Sequence, residues 1–415
     1  MPKRIKVTGW ILAVCHAGSM YYIKTVKRWL SQISKITCCC LWLLAATPIF
    51  AQEKAPLPPL ANVTFFVNSL PGTPFWESQI DFAQAVSKAF NINLTISYIP
   101  RKYIDRFGVT EYIEDYLDKQ STLPDLIVSS LWLGVEEKVL QIFAAKNIAY
   151  FSINNQLTEP LLASLGTPRQ KFPRWLGHIA TDDVAVGAQL TEYLLLQIDK
   201  KKACTSACPI HLFAFSGFTF TTASQQREKG LSVALAKRRD VQLFNVVHAA
   251  WDRQTAYAMM PTILQRHDDI DGYWIASDFM ALGVLQVLRE SKRPQTAILA
   301  SIDWSPEIIA PIKSGAVSAS LGGHFMEAGW AITLYADALL AGDFAANFGT
   351  LFHSELDILD GNNIDKIGAF LAKPHWNSEA ILLNSRYYNP NFSHYSFQPL
   401  SIINAQLAAN AQGAE

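Results

Sequence analysis

From Val63 onward, short apolar runs alternate with helix-length stretches, and this alternation narrows the possible folds more than any other feature of the chain. Strand-like runs fall at Val63–Val67, Leu94–Tyr98, Asp125–Val128, Ala149–Ile153, His211–Phe215, Gln242–Val247, Gly272–Ala276 and Ala297–Ile302. Several are continuously apolar, as strands buried on both faces must be. Between them, Phe75–Phe90, Val184–Ile198, Thr222–Arg238, Gln254–Arg266 and Phe279–Arg289 space their apolar residues by three and four, the period of a one-sided helix. Strand followed by helix, many times over, gives parallel α/β sheets with right-handed crossovers. At 415 residues the chain exceeds one compact core, so two lobes are expected. The pattern breaks between Asn154 and Arg174, where Pro160, Gly166, Pro168 and Pro173 crowd together; this reads as a long passage between lobes rather than a helix.

The formal charge is balanced, with 35 basic and 35 acidic residues, but the balance hides a split. Residues 1–51 carry seven basic side chains (Lys3, Arg4, Lys6, Lys24, Lys27, Arg28 and Lys35) and no acid, which leaves 28 basic against 35 acidic beyond them. A mildly acidic remainder argues against a nucleic-acid binder, which needs basic surface to neutralise phosphates. The basic stretch Lys24–Lys35, the short apolar run Ile36–Leu44 and the small residues ending at Ala51 read as a secretory signal peptide over 1–51, with Met1 or Met20 as the start. An uncleaved anchor is the alternative reading. Cys204 and Cys208 are then the two cysteines left; in an oxidising compartment they are expected to form a local disulfide, with free thiols or a metal pair as alternatives.

Motifs of nucleotide-binding, serine-hydrolase and zinc-protease enzymes are missing from the chain. No cofactor and no catalytic residue is expected. Polar and aromatic residues instead recur where strands end. Asn68 follows the first strand, and Phe75 and Trp76 open the next helix. Asn154 and Asn155 follow Ala149–Ile153, Trp251 follows the strand ending near His248, and Ser277, Asp303 and Trp304 follow the last two strands. Arg227 lies in the first turns of the helix that begins near Thr222. Strand ends line the ligand crevice of an open parallel sheet. Aromatic plates together with hydroxyl-binding Asp, Asn and Arg are what a sugar needs, because its C–H face packs on rings while its hydroxyls want fixed partners. Arg227 can donate a fork of hydrogen bonds to vicinal oxygens. For His178 and His324 the expectation is a hydrogen-bonded histidine at a lobe junction, and Trp132 is read either as cleft rim or as lobe packing.

In order and spacing these segments resemble the type I periplasmic binding proteins, the ribose- and galactose-binding group that shares its fold with the effector domains of LacI-type repressors. The similarity runs from about Val63 to Ala341. Thr73-Pro74-Phe75-Trp76 looks like the family's aromatic segment that sandwiches a sugar ring. Arg227-Glu228-Lys229-Gly230 is similar to its Arg-x-x-Gly, and Ser277-Asp278-Phe279-Met280-Ala281-Leu282-Gly283 to its Asn-Asp-x-Met-Ala-Leu-Gly. Asp303 stands where the family has a ligand-binding aspartate. Asn154-Asn155 depart from the Asp-Arg of ribose binders, and Gly323 from their ligand-binding glutamine. The resemblance implies two Rossmann-like lobes joined by a three-segment hinge, with crossings near residues 179, 323 and 351. One lobe would hold 57–178 plus 324–350 and the other 179–323 plus 351–375, and 376–415 would be a tail on the surface. It also implies a periplasmic protein without enzymatic activity that captures a sugar or polyol. Its partner would be the membrane permease of an ABC transporter or, alternatively, a membrane sensor kinase that reads a sugar or autoinducer-like signal.

Overall fold

The structure is a computed structural model that describes residues 58–103, 108–132, 134–202, 209–291 and 296–412. The signal-peptide reading of 1–51 and the Cys204–Cys208 pairing lie outside the described residues. The chain divides into a unit of residues 1–58 and a unit of residues 59–415, and the second holds every element below. No helix among the described residues is long and apolar enough to cross a membrane.

Two six-stranded sheets organise this unit. The first contains β1 (Asn62–Val67), β2 (Asn93–Tyr98), β3 (Leu126–Ser130), β4 (Ala149–Ile153), β5 (Trp175–Ala180) and β11 (Leu351–His353), in the order β11-β5-β4-β3-β1-β2. The second contains β6 (Ile210–Ser216), β7 (Val241–His248), β8 (Gly272–Ile275), β9 (Ile298–Asp303), β10 (Ala319–Gly322) and β12 (Asp357–Asp360), in the order β12-β10-β9-β8-β6-β7. Every pairing is parallel except β10 with β12, which is antiparallel. The continuously apolar runs became central strands: β3, β4 and β8 are buried at every position. The edge strands β2 and β7 are partly exposed, and they are the runs that carry Asn, Thr and Gln.

Four strands escaped the sequence pattern. Three of them (β10, β11 and β12) have only three or four residues, too few to display a period; β5 is interrupted by Gly177 and His178. The proline-rich break is also corrected. It contains a helix, Glu159–Leu165, whose Pro160 sits in the first turn, where a missing N–H costs no hydrogen bond. That helix leads into β5, so the chain is still in the first lobe until Ala180 and crosses after it.

The third crossing is corrected in the same way. β11 pairs with β5, matching Phe352 to Ile179, and Phe352 packs against Phe151 and Phe344. Residues 351–353 therefore belong to the first sheet, and the chain crosses between His353 and Asp357, later than residue 351. The middle crossing begins after Gly322, at the end of β10.

The segment after Lys373 is not a surface tail. Its Tyr395, Ile402, Ile403 and Gln406 are buried. Asp337, fully buried on the helix Glu327–Ala341, accepts hydrogen bonds from the Ser385 hydroxyl, the Arg386 N–H at 2.7 Å and the Tyr395 hydroxyl at 2.9 Å. Trp376 packs 4.7 Å from Phe82, and its indole N–H donates to Asp81 at 2.7 Å. Phe397 lies 5.3 Å from Trp330 and 5.6 Å from Phe352, and its carbonyl accepts from the Glu355 N–H at 3.1 Å. Leu400 N–H donates to Asp357. The segment thus touches the first lobe, the third crossing and the second lobe in turn. Ile402, Ile403 and Gln406 lie on a helix of its own, Pro399–Gln412, while the stretch rich in Asn, Ser and Tyr before it answers to surfaces already built and shows no period.

Truncation before residue 374 should destabilise the protein by several kcal/mol, roughly the loss of three or four buried side chains plus an orphaned buried carboxylate. Thermal denaturation of the truncated and intact chains would measure it; equal melting temperatures would contradict the packing described.

Candidate functional site

Strained backbone marks the ends of the strands. Five non-glycine residues with left-handed φ stand at or just past the ends of β4, β7 and β9: Asn154 (70°), Ala250 (57°), Trp251 (60°), Asp303 (135°) and Trp304 (65°). Such conformations cost about 1–3 kcal/mol each and persist only where surroundings enforce them. After β9 the enforcer is Asp278, which is fully buried. Its carboxylate accepts from the Ser305 N–H and the Ser320 hydroxyl, each at 2.8 Å, and from the Ser301 hydroxyl. Burial, only partly offset by these donors, pushes its pKa up to about 6. Its own N–H donates to Asp303 at 3.3 Å. Burial first, and the Asp278 charge second, hold the Asp303 carboxyl well above the usual range.

Arg227 is brought in by a close helix crossing. The helices Asp183–Lys202 and Thr222–Leu235 touch at two glycines. A Cβ on Gly187 would lie 2.0 Å from the Arg227 carbonyl oxygen, and one on Gly230 would lie 2.1 Å from that of Val184. Only glycine allows this approach, and it sets Asp183 beside Arg227. The arginine is 4% exposed. Its Nε–H donates to Asp183 Oδ1 at 2.8 Å, one Nη–H donates to the Ala276 carbonyl at 2.8 Å, and its other Nη lies 3.5 Å from His324 Nε2. Its guanidinium carbon stands 5.8 Å from the Trp251 ring. Burial raises the Asp183 pKa, although the Arg227 charge opposes the shift.

His324, on the middle crossing, is where the lobes meet. Its ring centroid is 4.7 Å from that of Phe75, which belongs to the first lobe. Its Nε2 is 3.6 Å from Asp303 Oδ1, in the second. Burial, reinforced by the Arg227 charge, drives its pKa well down, so the ring is neutral near pH 7. Just before it, Gly323 has φ 120°, and a Cβ there would lie 1.9 Å from Pro399 Cγ. Pro399 thus occupies the space a side chain at 323 would need, which accounts for glycine at that position.

Glu327, three residues further on, is fully buried and joins the crossings. It accepts from the Asn154 N–H at 2.8 Å and from the Ser354 hydroxyl. Burial outweighs both bonds and raises its pKa to about 8.

The sequence candidates separate into three groups. Phe75, Arg227 and Asp303 converge around His324, and the Trp251 ring stands 5.8 Å from the Arg227 guanidinium carbon. Asn68 and Trp76 stay half-buried near them, with Trp76 5.3 Å from Phe75, and Asn154 is tied by its N–H to Glu327. The others serve the scaffold. Ser277 caps the helix Asp278–Glu290 by accepting from the Met280 N–H. The Asn155 amide donates to the Leu131 carbonyl at 2.7 Å and pins the loop that carries Trp132. Trp304 is 1% exposed, its indole N–H donates to the Ser320 carbonyl, and its ring covers Gly322.

Asp183, Asp278, His324 and Glu327 were not among the candidates. A further signal is a set of buried side-chain atoms with no hydrogen-bond partner among the described residues: Ser130 Oγ, Trp132 Nε1, Ser216 Oγ, Thr222 Oγ1, Asp183 Oδ2 and His324 Nδ1. Ser130 and Ser216 close β3 and β6, so their position alone could have nominated them. Orphaned polar atoms are costly, and this set at the strand ends suits a guest with many hydroxyls. A cavity of about 380 Å³ elsewhere in the first lobe, bordered by Glu136, Gln141, Leu161 and Ser164, contains none of these residues.

Comparison with known proteins bears on the same region. The model of the periplasmic binding protein domain family matches residues 63–343. Over 143 residues the chain is 27% identical to the D-allose-binding periplasmic protein of Escherichia coli (strain K12), covering 34% of this chain and 44% of that one. Over 203 residues it is 28% identical to the xylitol-binding protein of Mycolicibacterium smegmatis, covering 48% and 51%. The chain therefore spans about half the length of the curated relatives it matches. A solved periplasmic sugar-binding protein from Pseudomonas fluorescens superposes with a TM-score of 0.70 at 25% identity, over 83% of this chain and 99% of that one.

The raised Glu327 pKa has a measurable consequence. The folded state favours the protonated acid, so this contribution to stability is complete below about pH 4.5 and fades as pH rises through about 8. Glu327→Gln, neutral at every pH, should lose less stability than the wild type between pH 5 and 8. Parallel pH profiles of melting temperature would argue against it.

Proposed function

Because this chain belongs to the periplasmic binding protein domain family, we propose that it captures a sugar or polyol between its two lobes and delivers it to the permease of an ABC importer. The observation that carries this reading is the convergence of Phe75 from one lobe with Arg227 and Asp303 from the other on a single residue of the crossing, His324. Rings, the Arg227 N–H groups not committed to Asp183 and the Ala276 carbonyl, and a carboxylate are groups that suit a hydroxylated ring. The named ligands of two relatives, D-allose and xylitol, are of that chemistry. The leader-like residues 1–51 fit export to the periplasm.

Function follows from the three crossings. A ligand held by both lobes favours the closed arrangement, since only that arrangement offers both sets of contacts. A membrane partner then distinguishes loaded from empty protein by shape. No bond in the ligand is made or broken, and the ligand should be recovered unchanged after incubation.

Calorimetry of the mature chain against D-ribose, D-allose and xylitol tests the reading. At least one should bind, and Arg227→Lys should weaken it by about 1–3 kcal/mol, because lysine keeps a charge beside Asp183 but cannot also hold the Ala276 carbonyl and donate to a guest. Binding that leaves a reconstituted permease unstimulated but activates a sensor kinase would reassign the partner. Unchanged affinity in Arg227→Lys would remove the arginine from the site.

A further inference from the structure

We propose that the site extends along the second lobe into a subsite for a second sugar ring: Phe218 and Phe220, on the loop after β6, form a plate on which the outer ring of a disaccharide stacks. The inference rests on the functional reading above and deepens it by naming the size of the guest.

Phe218 and Phe220 are 41% and 56% exposed, and their rings stack on each other at 5.0 Å and 23°. A lone exposed phenylalanine is ordinary surface, whereas a stacked pair beside a ligand site is apolar area that a guest can cover. The loop that carries the pair is fixed by its own bonds. The Phe218 carbonyl accepts from the Thr221 N–H at 3.1 Å and from the Thr221 hydroxyl at 3.0 Å, and the Thr219 carbonyl accepts from the Gln225 amide at 2.9 Å. A plate presented by an ordered turn leaves little loop entropy to lose on binding.

Trp251 joins the plate to the rest of the site. A Cβ on Gly217 would lie 1.9 Å from Trp251 Cε2, so the indole rests on the backbone directly before Phe218. The same indole stands 5.8 Å from the Arg227 guanidinium carbon. Strand order sets the reach. β9, β8 and β6 are neighbours in that order; Asp303 ends β9, the Ala276 carbonyl held by Arg227 follows β8, and the phenylalanine loop follows β6. Adjacent strands lie about 4.8 Å apart, so β6 runs about 10 Å from β9. A single sugar ring is comparable to one strand spacing, whereas two linked rings span both.

Polar partners stand at both ends of the loop. Ser216 is 0% and Thr222 7% exposed, and neither Ser216 Oγ nor Thr222 Oγ1 has a hydrogen-bond partner among the described residues. Buried hydroxyls left unpaired are costly. A purely apolar guest would leave both unpaired, while a sugar offers a C–H face to the rings and hydroxyls to these oxygens.

Calorimetry of the mature protein and of the double variant Phe218→Ser/Phe220→Ser tests the subsite. The ligands are maltose, cellobiose, lactose and sucrose, their components D-glucose, D-galactose and D-fructose, and the single units D-ribose, D-allose and xylitol. At least one disaccharide should bind wild type about tenfold or more tighter than either of its components. The double variant should lose that advantage and keep its affinity for single units within about threefold of wild type. In saturation-transfer NMR of wild type, irradiating aromatic protons should reach both rings of the bound disaccharide, a readout that stands even if the variant fails to fold.

Binding of single units with no disaccharide tighter than its components would overturn the inference alone, as would transfer confined to one ring. Equal weakening of single units and disaccharides in the variant would make the pair a closure contact between lobes. Unchanged affinity with lost stimulation of a reconstituted permease would make it a docking surface for the membrane partner. Either result overturns the subsite. If wild type binds none of these ligands, the proposed function falls, and this inference with it.

Discussion

The site depends on a buried ion pair made possible by two glycines. Arg227 and Asp183 are both almost sealed from solvent, and neither could remain charged there alone, since an unpaired buried charge costs several kcal/mol. They meet because Gly187 and Gly230 let their helices pass at backbone contact. From that point the guanidinium reaches the end of β8 through the Ala276 carbonyl, and the crossing through His324. The Arg-x-x-Gly spacing has two parts: the arginine supplies the donors, and the glycine one turn later supplies the approach that positions them.

Acids outnumber bases in this interior. Asp183, Asp278, Asp303 and Glu327 are buried around one arginine, and for each of them burial raises the pKa. They are not equivalent in role. Asp278 is saturated by serine and backbone donors and shapes the strained loop that presents Asp303. Glu327 ties the loop after β4 to the third crossing. Asp303 accepts a 3.3 Å bond from the Asp278 N–H and lies 3.6 Å from His324 Nε2.

The crossings are framed by the C-terminal segment. Pro399 fills the space beside Gly323, Phe397 bridges Trp330 and Phe352, and Asp337 gathers three donors from Ser385, Arg386 and Tyr395. The same bracing accounts for the glycine at 323.

The sequence by itself determined the sheet class and most strand positions, because strands buried on both faces must be apolar throughout. It also placed polar and aromatic residues at strand ends, and it nominated Phe75, Arg227, Trp251 and Asp303 for that reason. What it could not reveal was decided by contacts between residues far apart in the chain. Trp304 and Trp251 look alike after a strand and each covers a glycine, Gly322 and Gly217, yet one is sealed in the core and the other is half-buried with its ring 5.8 Å from the Arg227 guanidinium carbon. Asp183 became a partner of Arg227 only through a helix crossing, and the apolar residues after Lys373 became core only once two lobes existed for them to cover. Local pattern records which face of an element is buried; only the assembled structure decides what buries it.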